Sequence, residues 1–171
     1  MNPLILVTGG VKSGKSRFAA NCLEGFTDKP LIIATARRLD SEFSARIDRH
    51  IQSRPEHWSS IEAPLDLPEQ LVMNQQPLLV DCIGVWLTNI LVEQPDQLEE
   101  RVAALLSALE QRSASTVLVS NEVGLGVIGT DSLTRQYIDQ LGLLNQAIAE
   151  RASHVVISIC GLPQWLKGTP F

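Results

Sequence analysis

The sequence is poor in aromatic residues and in basic charge, and both shortages argue against a protein that binds nucleic acid. Aromatic residues make up 5% of the 171 residues, and Trp58, Trp86 and Trp165 are interpreted as packing residues rather than as a platform for stacked bases. The 14 basic and 19 acidic residues give a net charge of −5. A negatively charged chain is not expected to have nucleic acid or an anionic membrane as its main partner.

Cysteines and long apolar runs are also scarce. Cys22, Cys82 and Cys160 are odd in number, widely spaced and set among apolar residues, which predicts buried, reduced thiols rather than a disulfide or a metal site. No run approaches the roughly 20 apolar residues of a membrane span, and no signal peptide is visible at the N-terminus. We therefore expect a cytoplasmic protein.

Hydrophobic residues are abundant enough to build a full core. They make up 44% of the chain, which suits one domain covering residues 1–171. Five apolar runs have strand length and do not alternate strictly, which is typical of parallel strands buried on both faces. These runs are Leu4–Thr8, Leu31–Ala34, Leu78–Cys82, Thr116–Ser120 and Val155–Cys160.

Helical patterns separate the strands. Apolar residues recur at helical spacing over Gln97–Arg112 and Leu133–Arg151. The least regular stretch, Ser53–Gln76, is expected to hold a short extra strand near Trp58–Ile61. Strands that alternate with helices predict an α/β fold with a mostly parallel central sheet.

The first apolar run leads directly into a phosphate-binding motif. Residues Gly9–Ser16 fit the pattern G-x-x-x-x-G-K-[ST] at a predicted strand-to-helix junction, where the motif belongs. Backbone N–H groups of such a loop surround phosphate oxygens, Lys15 reaches the β- and γ-phosphates, and the Ser16 hydroxyl can ligate Mg²⁺. The helix N-terminus adds a favourable dipole. The alternative is a chance glycine-rich turn, but the motif in this context predicts a site for a nucleoside triphosphate.

Two further segments reach the sheet edge at which open α/β sheets bind ligands. Asp81 lies at the end of an apolar strand, where a phosphate-loop enzyme places the aspartate that holds Mg²⁺. Its alternative role is to cap the next helix. Ser120–Gly126 follows the fourth strand with a polar pair and a flexible turn, which an ordinary strand-to-loop transition explains equally well.

A third candidate is a histidine on a predicted helix over Leu39–Gln52. His50 lies at the edge of the apolar stripe of this helix, and the residues alone favour a histidine half buried beside the core. The functional alternative is a nucleophile or acid–base residue flanked by Arg46, Arg49 and Arg54. Their positive charge would attract a triphosphate and favour neutral imidazole.

Taken together, these segments resemble the bifunctional adenosylcobinamide kinase/adenosylcobinamide-phosphate guanylyltransferase family of cobalamin biosynthesis. The resemblance covers essentially the whole chain. The phosphate loop alone is unspecific, whereas the histidine segment and the Asn-Glu-Val-Gly turn in the same order are specific. The resemblance rests on Ile5–Ser16, Ile33–Ala36, Arg46–Trp58, Asp81–Asn89, Asn121–Gly124, Leu144–Gln146 and Gly161–Pro163.

The resemblance implies a three-layer, RecA-like P-loop NTPase fold and two reactions. In the first reaction, adenosylcobinamide is phosphorylated with ATP or GTP. In the second, a histidine attacks the α-phosphate of GTP and carries GMP, which adenosylcobinamide phosphate then takes to give adenosylcobinamide-GDP. By position, His50 matches that histidine and becomes the expected nucleophile, and Lys15 is the second expected catalytic residue.

The resemblance also implies ligands and partners. Ser16 and Asp81 are the expected Mg²⁺ ligands, and the Glu62 carboxylate suits the N1–H and N2–H₂ donors of guanine. GTP, ATP and Mg²⁺ are expected at the site, adenosylcobinamide and its phosphate as substrates, and a homotrimer as the assembly. Nucleotide contacts are expected from Gly9, Gly10, Val11, Lys12, Ser13, Gly14, Lys15, Ser16, Ala34, Thr35, Ala36, Ile51, Gln52, Ser53, Arg54, Glu62 and Asp81.

Two other functions compete with this interpretation. One is a different phosphate-loop kinase or ATPase in which His50 is only structural. The other is a non-catalytic module that senses GTP. The presence of Lys15, Ser16 and Asp81 disfavours the sensor, because a pure binder could lose the metal ligands.

Overall fold

The computed structural model describes residues 2–37 and 57–170. In those ranges the strands are β1 (Leu4–Gly9), β2 (Leu31–Ala34), β3 (Ser59–Glu62), β4 (Leu78–Asp81), β5 (Thr116–Val119), β6 (His154–Ile159) and β7 (Leu162–Lys167). The helices are α1 (Lys15–Glu24), α2 (Leu67–Met73), α3 (Ile83–Glu93), α4 (Leu98–Gln111) and α5 (Ser132–Arg151), with a short 3-10 turn at Pro95–Gln97.

The described strands form one twisted layer in the order β3-β2-β4-β5-β1-β6-β7. Every neighbouring pair from β3 to β6 is parallel, and β7 runs antiparallel to β6 at the edge. Strand β5 therefore separates the phosphate-loop strand β1 from β4, which ends in Asp81. The predicted mostly parallel sheet is confirmed.

Each face of the sheet is covered by helices, which gives three layers. On one face, Leu6, Val80 and Leu118 pack against residues of α2, α3, α4 and α5, including the fully buried Trp86. On the other face, strand residues pack against Ala19, Cys22 and Leu23 of α1. These strand residues are Ile5, Val7, Ile32, Leu79, Val117 and Val119. Because both faces are covered there, the central strands β1, β2, β4 and β5 lack the polar alternation of half-exposed strands.

The predicted helices agree closely with the structure where they can be compared. Helix α4 begins and ends one residue inside the predicted Gln97–Arg112, and α5 begins one residue before the predicted Leu133. The extra strand expected near Trp58–Ile61 is β3, displaced by one residue. The predicted helix Leu39–Gln52 lies outside the described residues.

Two sequence interpretations need correction at the C-terminal end. Cys22 and Cys82 are buried as predicted, but Cys160 is exposed, because the strand ends at Ile159 and Cys160 lies in the following turn with φ 52°. Strand β7 was missed, since it is an exposed edge strand containing Pro163 and has no apolar run.

None of the helices in the described ranges is long and apolar enough to cross a membrane.

Candidate functional site

The candidate residues converge because their strands end level with one another. Ala34 at the end of β2 pairs in register with both Glu62 of β3 and Asp81 of β4. Asp81 in turn pairs with Val119, and Val119 pairs with Val7, two residues before the phosphate loop begins. The carboxyl ends of parallel strands thus bring the loop, Asp81 and the residues after β5 to one edge.

The phosphate loop connects β1 to α1 through two glycines that no other residue could replace without strain. Gly9 has φ 152°, and a Cβ on it would lie 2.5 Å from Ser13 Oγ and 2.6 Å from the Ser158 carbonyl oxygen. Gly14, with φ 94°, is the N-cap of α1, and its Cβ would lie 3.0 Å from Gly161 Cα. Both positions therefore require glycine for backbone conformation and for close packing.

Positive groups and polar side chains line the interior of this loop. The Lys15 ammonium donates to the Gly10 carbonyl oxygen at 2.9 Å, so its head lies over the loop. Ser16 is half buried in the first turn of α1, which carries no acidic residue to offset the helix dipole. The Ser13 hydroxyl is buried and has no hydrogen-bond partner among the described residues. An anion at this helix N-terminus would meet a favourable dipole.

Asp81 is half buried, and the backbone that follows it is fixed by Thr35. The Thr35 hydroxyl donates to the Cys82 carbonyl oxygen at 2.8 Å and accepts from the Cys82 N–H at 3.0 Å. The Thr35 N–H donates to the Asp81 carbonyl oxygen at 3.2 Å, and the Thr35 carbonyl accepts from the Asn89 amide at 2.9 Å. Thr35 is fully buried, and each of its polar groups is engaged within the protein.

Electrostatics at the end of β4 follow from burial. Burial, and then the nearby Asp81 charge, raise the pKa of the Cys82 thiol to about 11. This thiol is consequently neutral at physiological pH and acts as a small apolar group in the cluster on the α1 face of the sheet. Asp81 places a carboxylate at the end of β4.

The remaining predicted contacts differ in accessibility. Val11 is 82% exposed, and Lys12 and Glu62 are exposed, whereas Ala34 and Ala36 are half buried. The hydroxyl of Thr35 faces the Asp81–Cys82 backbone, and its contact with nucleotide stays a prediction. His50 and the expected contacts Ile51, Gln52, Ser53 and Arg54 lie outside the described residues.

The polar turn after β5 is attached to the phosphate loop. The Glu122 N–H donates to the Gly9 carbonyl oxygen at 3.1 Å, and the Glu122 carboxylate accepts from the Gly124 N–H at 2.7 Å. Asn145 of α5 holds the base of the turn, accepting from the Ser120 hydroxyl at 2.6 Å and donating to the Asn121 carbonyl oxygen at 3.2 Å. This segment is therefore part of the site's framework.

A second support comes from the end of β6 and the turn that follows it. The Ser158 hydroxyl and the Gly161 N–H both donate to the Ser13 carbonyl oxygen, at 2.7 Å and 2.8 Å. Sequence reasoning gave neither residue a role. The available signal was a serine inside an apolar strand, followed three residues later by a glycine.

Comparisons with known proteins place this geometry in context. The family model described as cobinamide kinase / cobinamide phosphate guanyltransferase matches residues 5–166. The bifunctional adenosylcobalamin biosynthesis protein CobP of Pseudomonas aeruginosa is 43% identical over 169 residues, covering 96% of this chain and 98% of that protein. The bifunctional adenosylcobalamin biosynthesis protein CobU of Escherichia coli is 36% identical over 181 residues, covering 96% of this chain and 99% of that protein.

Solved structures similar to the chain bear on the fold alone. The flagellar accessory protein FlaH of Methanocaldococcus jannaschii aligns with TM-score 0.50 at 13% identity, covering 98% of this chain and 79% of that one. A Pyrococcus horikoshii OT3 protein aligns with TM-score 0.54 at 9% identity, covering 98% and 87%. With the phosphate loop at a strand-to-helix junction, the three-layer fold is that of the P-loop NTPases.

Proposed function

The chain belongs to the cobinamide kinase / cobinamide phosphate guanyltransferase family, and from that premise we propose that it catalyses two successive transfers on one phosphate loop. In the first, it phosphorylates adenosylcobinamide with ATP or GTP. In the second, it transfers GMP from GTP, through a guanylyl-histidine at His50, to give adenosylcobinamide-GDP. The observation that carries the proposal is the loop itself, with Lys15 over it and Asp81 at the same sheet edge.

The first reaction needs positioning and charge stabilisation. The terminal hydroxyl oxygen of adenosylcobinamide forms a bond to the γ-phosphorus and loses its proton, while the bond from that phosphorus to the β,γ-bridging oxygen breaks. Negative charge builds on the phosphate oxygens during transfer. The backbone N–H groups of Gly9–Ser16 and the Lys15 ammonium are fixed in advance to meet that charge.

The second reaction uses the same loop for a departing group. An imidazole nitrogen of His50 bonds to the α-phosphorus of GTP, and the bond from that phosphorus to the α,β-bridging oxygen breaks, releasing pyrophosphate. A phosphate oxygen of adenosylcobinamide phosphate then attacks the same phosphorus and frees the histidine. Covalent catalysis divides one displacement into two easier ones. The role of His50 rests on the sequence alone, since this residue lies outside the described ranges.

The chemistry of the donors present fits a magnesium ion. Ser16 and Asp81 offer a hydroxyl and a carboxylate, the hard oxygen donors that Mg²⁺ prefers. Mg²⁺ takes few protein ligands and binds together with the phosphates of a nucleotide. When bound, the ion would neutralise charge on the nucleotide's phosphate oxygens.

A carboxylate at the edge of the sheet supports guanine selection. Glu62 is exposed at the end of β3 and level with Ala34, so its side chain is open to a ligand at the carboxyl edge. A carboxylate can accept from the N1–H and N2–H₂ groups of guanine together, whereas adenine offers no matching pair of donors. We propose that Glu62 favours GTP in guanylyl transfer.

Assembly and location follow the family expectation of a cytoplasmic homotrimer. Exposed apolar residues on the edge strand β7 support self-association, with Leu162 71% and Leu166 64% exposed. Uncovered edge strands with apolar side chains are usually protected by a partner. Light scattering after size exclusion is expected to give three times the monomer mass, and a monomer at micromolar concentration would contradict the trimer.

Labelled GTP separates the proposed enzyme from its competitors. With α-labelled GTP and Mg²⁺, the enzyme is expected to form an acid-labile, base-stable protein adduct that is absent from His50→Ala. With γ-labelled GTP and adenosylcobinamide, label is expected on the corrinoid. Release of γ-phosphate without an adduct would instead indicate a phosphate-loop kinase or ATPase with a structural His50.

A further inference from the structure

We infer that the end of β6 and the turn that follows it form a positioning element of the nucleotide site, in which Ser158 and Gly161 orient the Ser13–Gly14 peptide toward bound phosphate. The inference rests on the nucleotide-binding part of the proposed function. It assigns a binding role to two residues that lie about 150 positions along the chain from the loop. Neither residue touches the phosphates directly in this assignment.

Both residues act on one carbonyl oxygen. The Ser158 hydroxyl lies 2.7 Å and the Gly161 nitrogen 2.8 Å from the Ser13 oxygen. A carbonyl oxygen has two lone pairs, so these two donors fill its acceptor capacity. The Ser13 carbonyl is thereby held toward the β6–β7 turn, on the side of the loop that faces the sheet's edge strands.

The orientation of the carbonyl fixes the orientation of the next N–H. In a trans peptide, the C=O and N–H of one unit point in opposite directions. Holding the Ser13 oxygen toward the turn therefore directs the Gly14 N–H away from it, to the opposite side of the loop. Rotation of this peptide unit would instead present a partly negative oxygen to the phosphates, which repels an anion.

The packing around this peptide leaves little room for another arrangement. Gly9 and Ser158 are register partners in the β1–β6 pair. A Cβ on Gly14 would lie 3.0 Å from Gly161 Cα, so the two glycines pack directly against each other. Gly161 has φ 80°, a conformation that other residues adopt only with strain. The end of β6 and the turn that follows it therefore contact the two ends of the phosphate loop.

Ser158 places a hydroxyl group in the protein interior. It is 1% exposed within the apolar strand β6. A buried hydroxyl costs free energy unless it is hydrogen-bonded, and an alanine would remove that requirement. Here the hydroxyl is used on the phosphate loop, which makes Ser158 a positioning residue for nucleotide binding.

The test measures GTP binding in Ser158→Ala beside a control variant. Ser153→Ala removes another hydroxyl-to-carbonyl bond, from the exposed Ser153 Oγ to the Leu4 oxygen at 3.0 Å, where β1 begins and far from the loop. The dissociation constant of Mg·GTP is expected to rise about tenfold in Ser158→Ala, because a buried hydrogen bond is lost. Ser153→Ala is expected to stay within about twofold, as is usual for an exposed site.

Kinetics and further variants distinguish positioning from general stability. Since the oriented N–H serves ground and transition states alike, KM for GTP should rise in Ser158→Ala while kcat changes little. Ser158→Thr keeps the hydroxyl and is expected to restore affinity. Gly161→Ala keeps the N–H but forces a Cβ onto φ 80°, and it is expected to weaken binding independently of Ser158.

Two results would overturn the inference. One is wild-type GTP affinity in a folded Ser158→Ala protein. The other is an equal loss of affinity in Ser158→Ala and Ser153→Ala, which would indicate a stability effect without positioning. Both results leave the proposed function intact as long as the wild type binds GTP and forms the adduct, whereas a wild type that does neither would contradict the proposed function itself.

Discussion

Replacing Thr35 by valine removes one hydroxyl from the core beneath the site and should destabilise the protein more than it weakens nucleotide binding. Valine has the same shape, so the effect comes from the lost hydrogen bonds. The Cys82 carbonyl keeps its bond from the Trp86 N–H at 3.2 Å, but the buried Cys82 N–H loses the acceptor that lies 3.0 Å away. The unsatisfied Cys82 N–H therefore accounts for most of the expected loss of stability.

The magnitude follows from those two groups. A buried donor left unsatisfied costs about 1–3 kcal/mol, and the bond lost by the carbonyl adds about 1 kcal/mol. The sum, about 2–4 kcal/mol, lowers the melting temperature of a chain of this size by about 5–15 °C. The affinity for Mg·GTP should fall by less than about threefold, because every polar group of Thr35 is already engaged within the protein.

Thermal unfolding and nucleotide titration of the same preparation test this reasoning. Thr27→Val is the control, since its hydroxyl accepts from an exposed Lys29 N–H at 3.1 Å, which water can replace, and its melting temperature should change by about 2 °C or less. The account of Thr35 is refuted if Thr35→Val melts like the wild type and loses GTP binding, because its hydroxyl would then be a direct nucleotide contact.

Four other predictions concern the site and the thiols. Lys15→Ala should lower kcat/KM of both transfers about 10²–10³-fold, and loss of one transfer alone would contradict a shared loop. Glu62→Gln should reduce the preference for GTP over ATP in guanylyl transfer, whereas an unchanged preference would exclude Glu62 from guanine selection. Iodoacetamide should label only exposed Cys160 in the native protein and all three thiols after denaturation, as read by mass spectrometry; rapid native labelling of Cys82 would contradict its burial. Burial raises the pKa of Cys22 and Cys82 from 9.0 to about 11, so the unfolded chain loses these protons first. The contribution of these two thiols to the free energy of unfolding is therefore fully present below pH 9 and should decline as the pH rises toward 11. The urea midpoint of unfolding should fall over this window, and a constant midpoint would contradict the prediction.

The central architecture could be predicted because it depends on local signals. Apolar runs without alternation identify parallel strands, and the Gly9–Ser16 pattern fixes one strand-to-helix junction. Once strands are parallel, their carboxyl ends share an edge, so Asp81 and the segment after Val119 could be placed beside the loop. These inferences need only spacing and residue type.

The rest of the site depends on tertiary register, which local patterns do not encode. Gly9 pairs with Ser158 across 149 positions, and nothing near Ser158 in sequence announces a phosphate loop. The family resemblance implies that Thr35 contacts nucleotide, but no local pattern predicts that its hydroxyl also bonds the Cys82 backbone across the sheet. Cys160 follows an apolar run, yet the strand ends one residue earlier and exposes it.

Mapping GMP on the protein by tandem mass spectrometry tests the central claim most directly. After incubation with GTP and Mg²⁺, the account predicts one GMP per chain on the peptide that contains His50, and its complete discharge when adenosylcobinamide phosphate is added. GMP on another residue, or an adduct on His50 that the corrinoid phosphate does not discharge, would contradict the account.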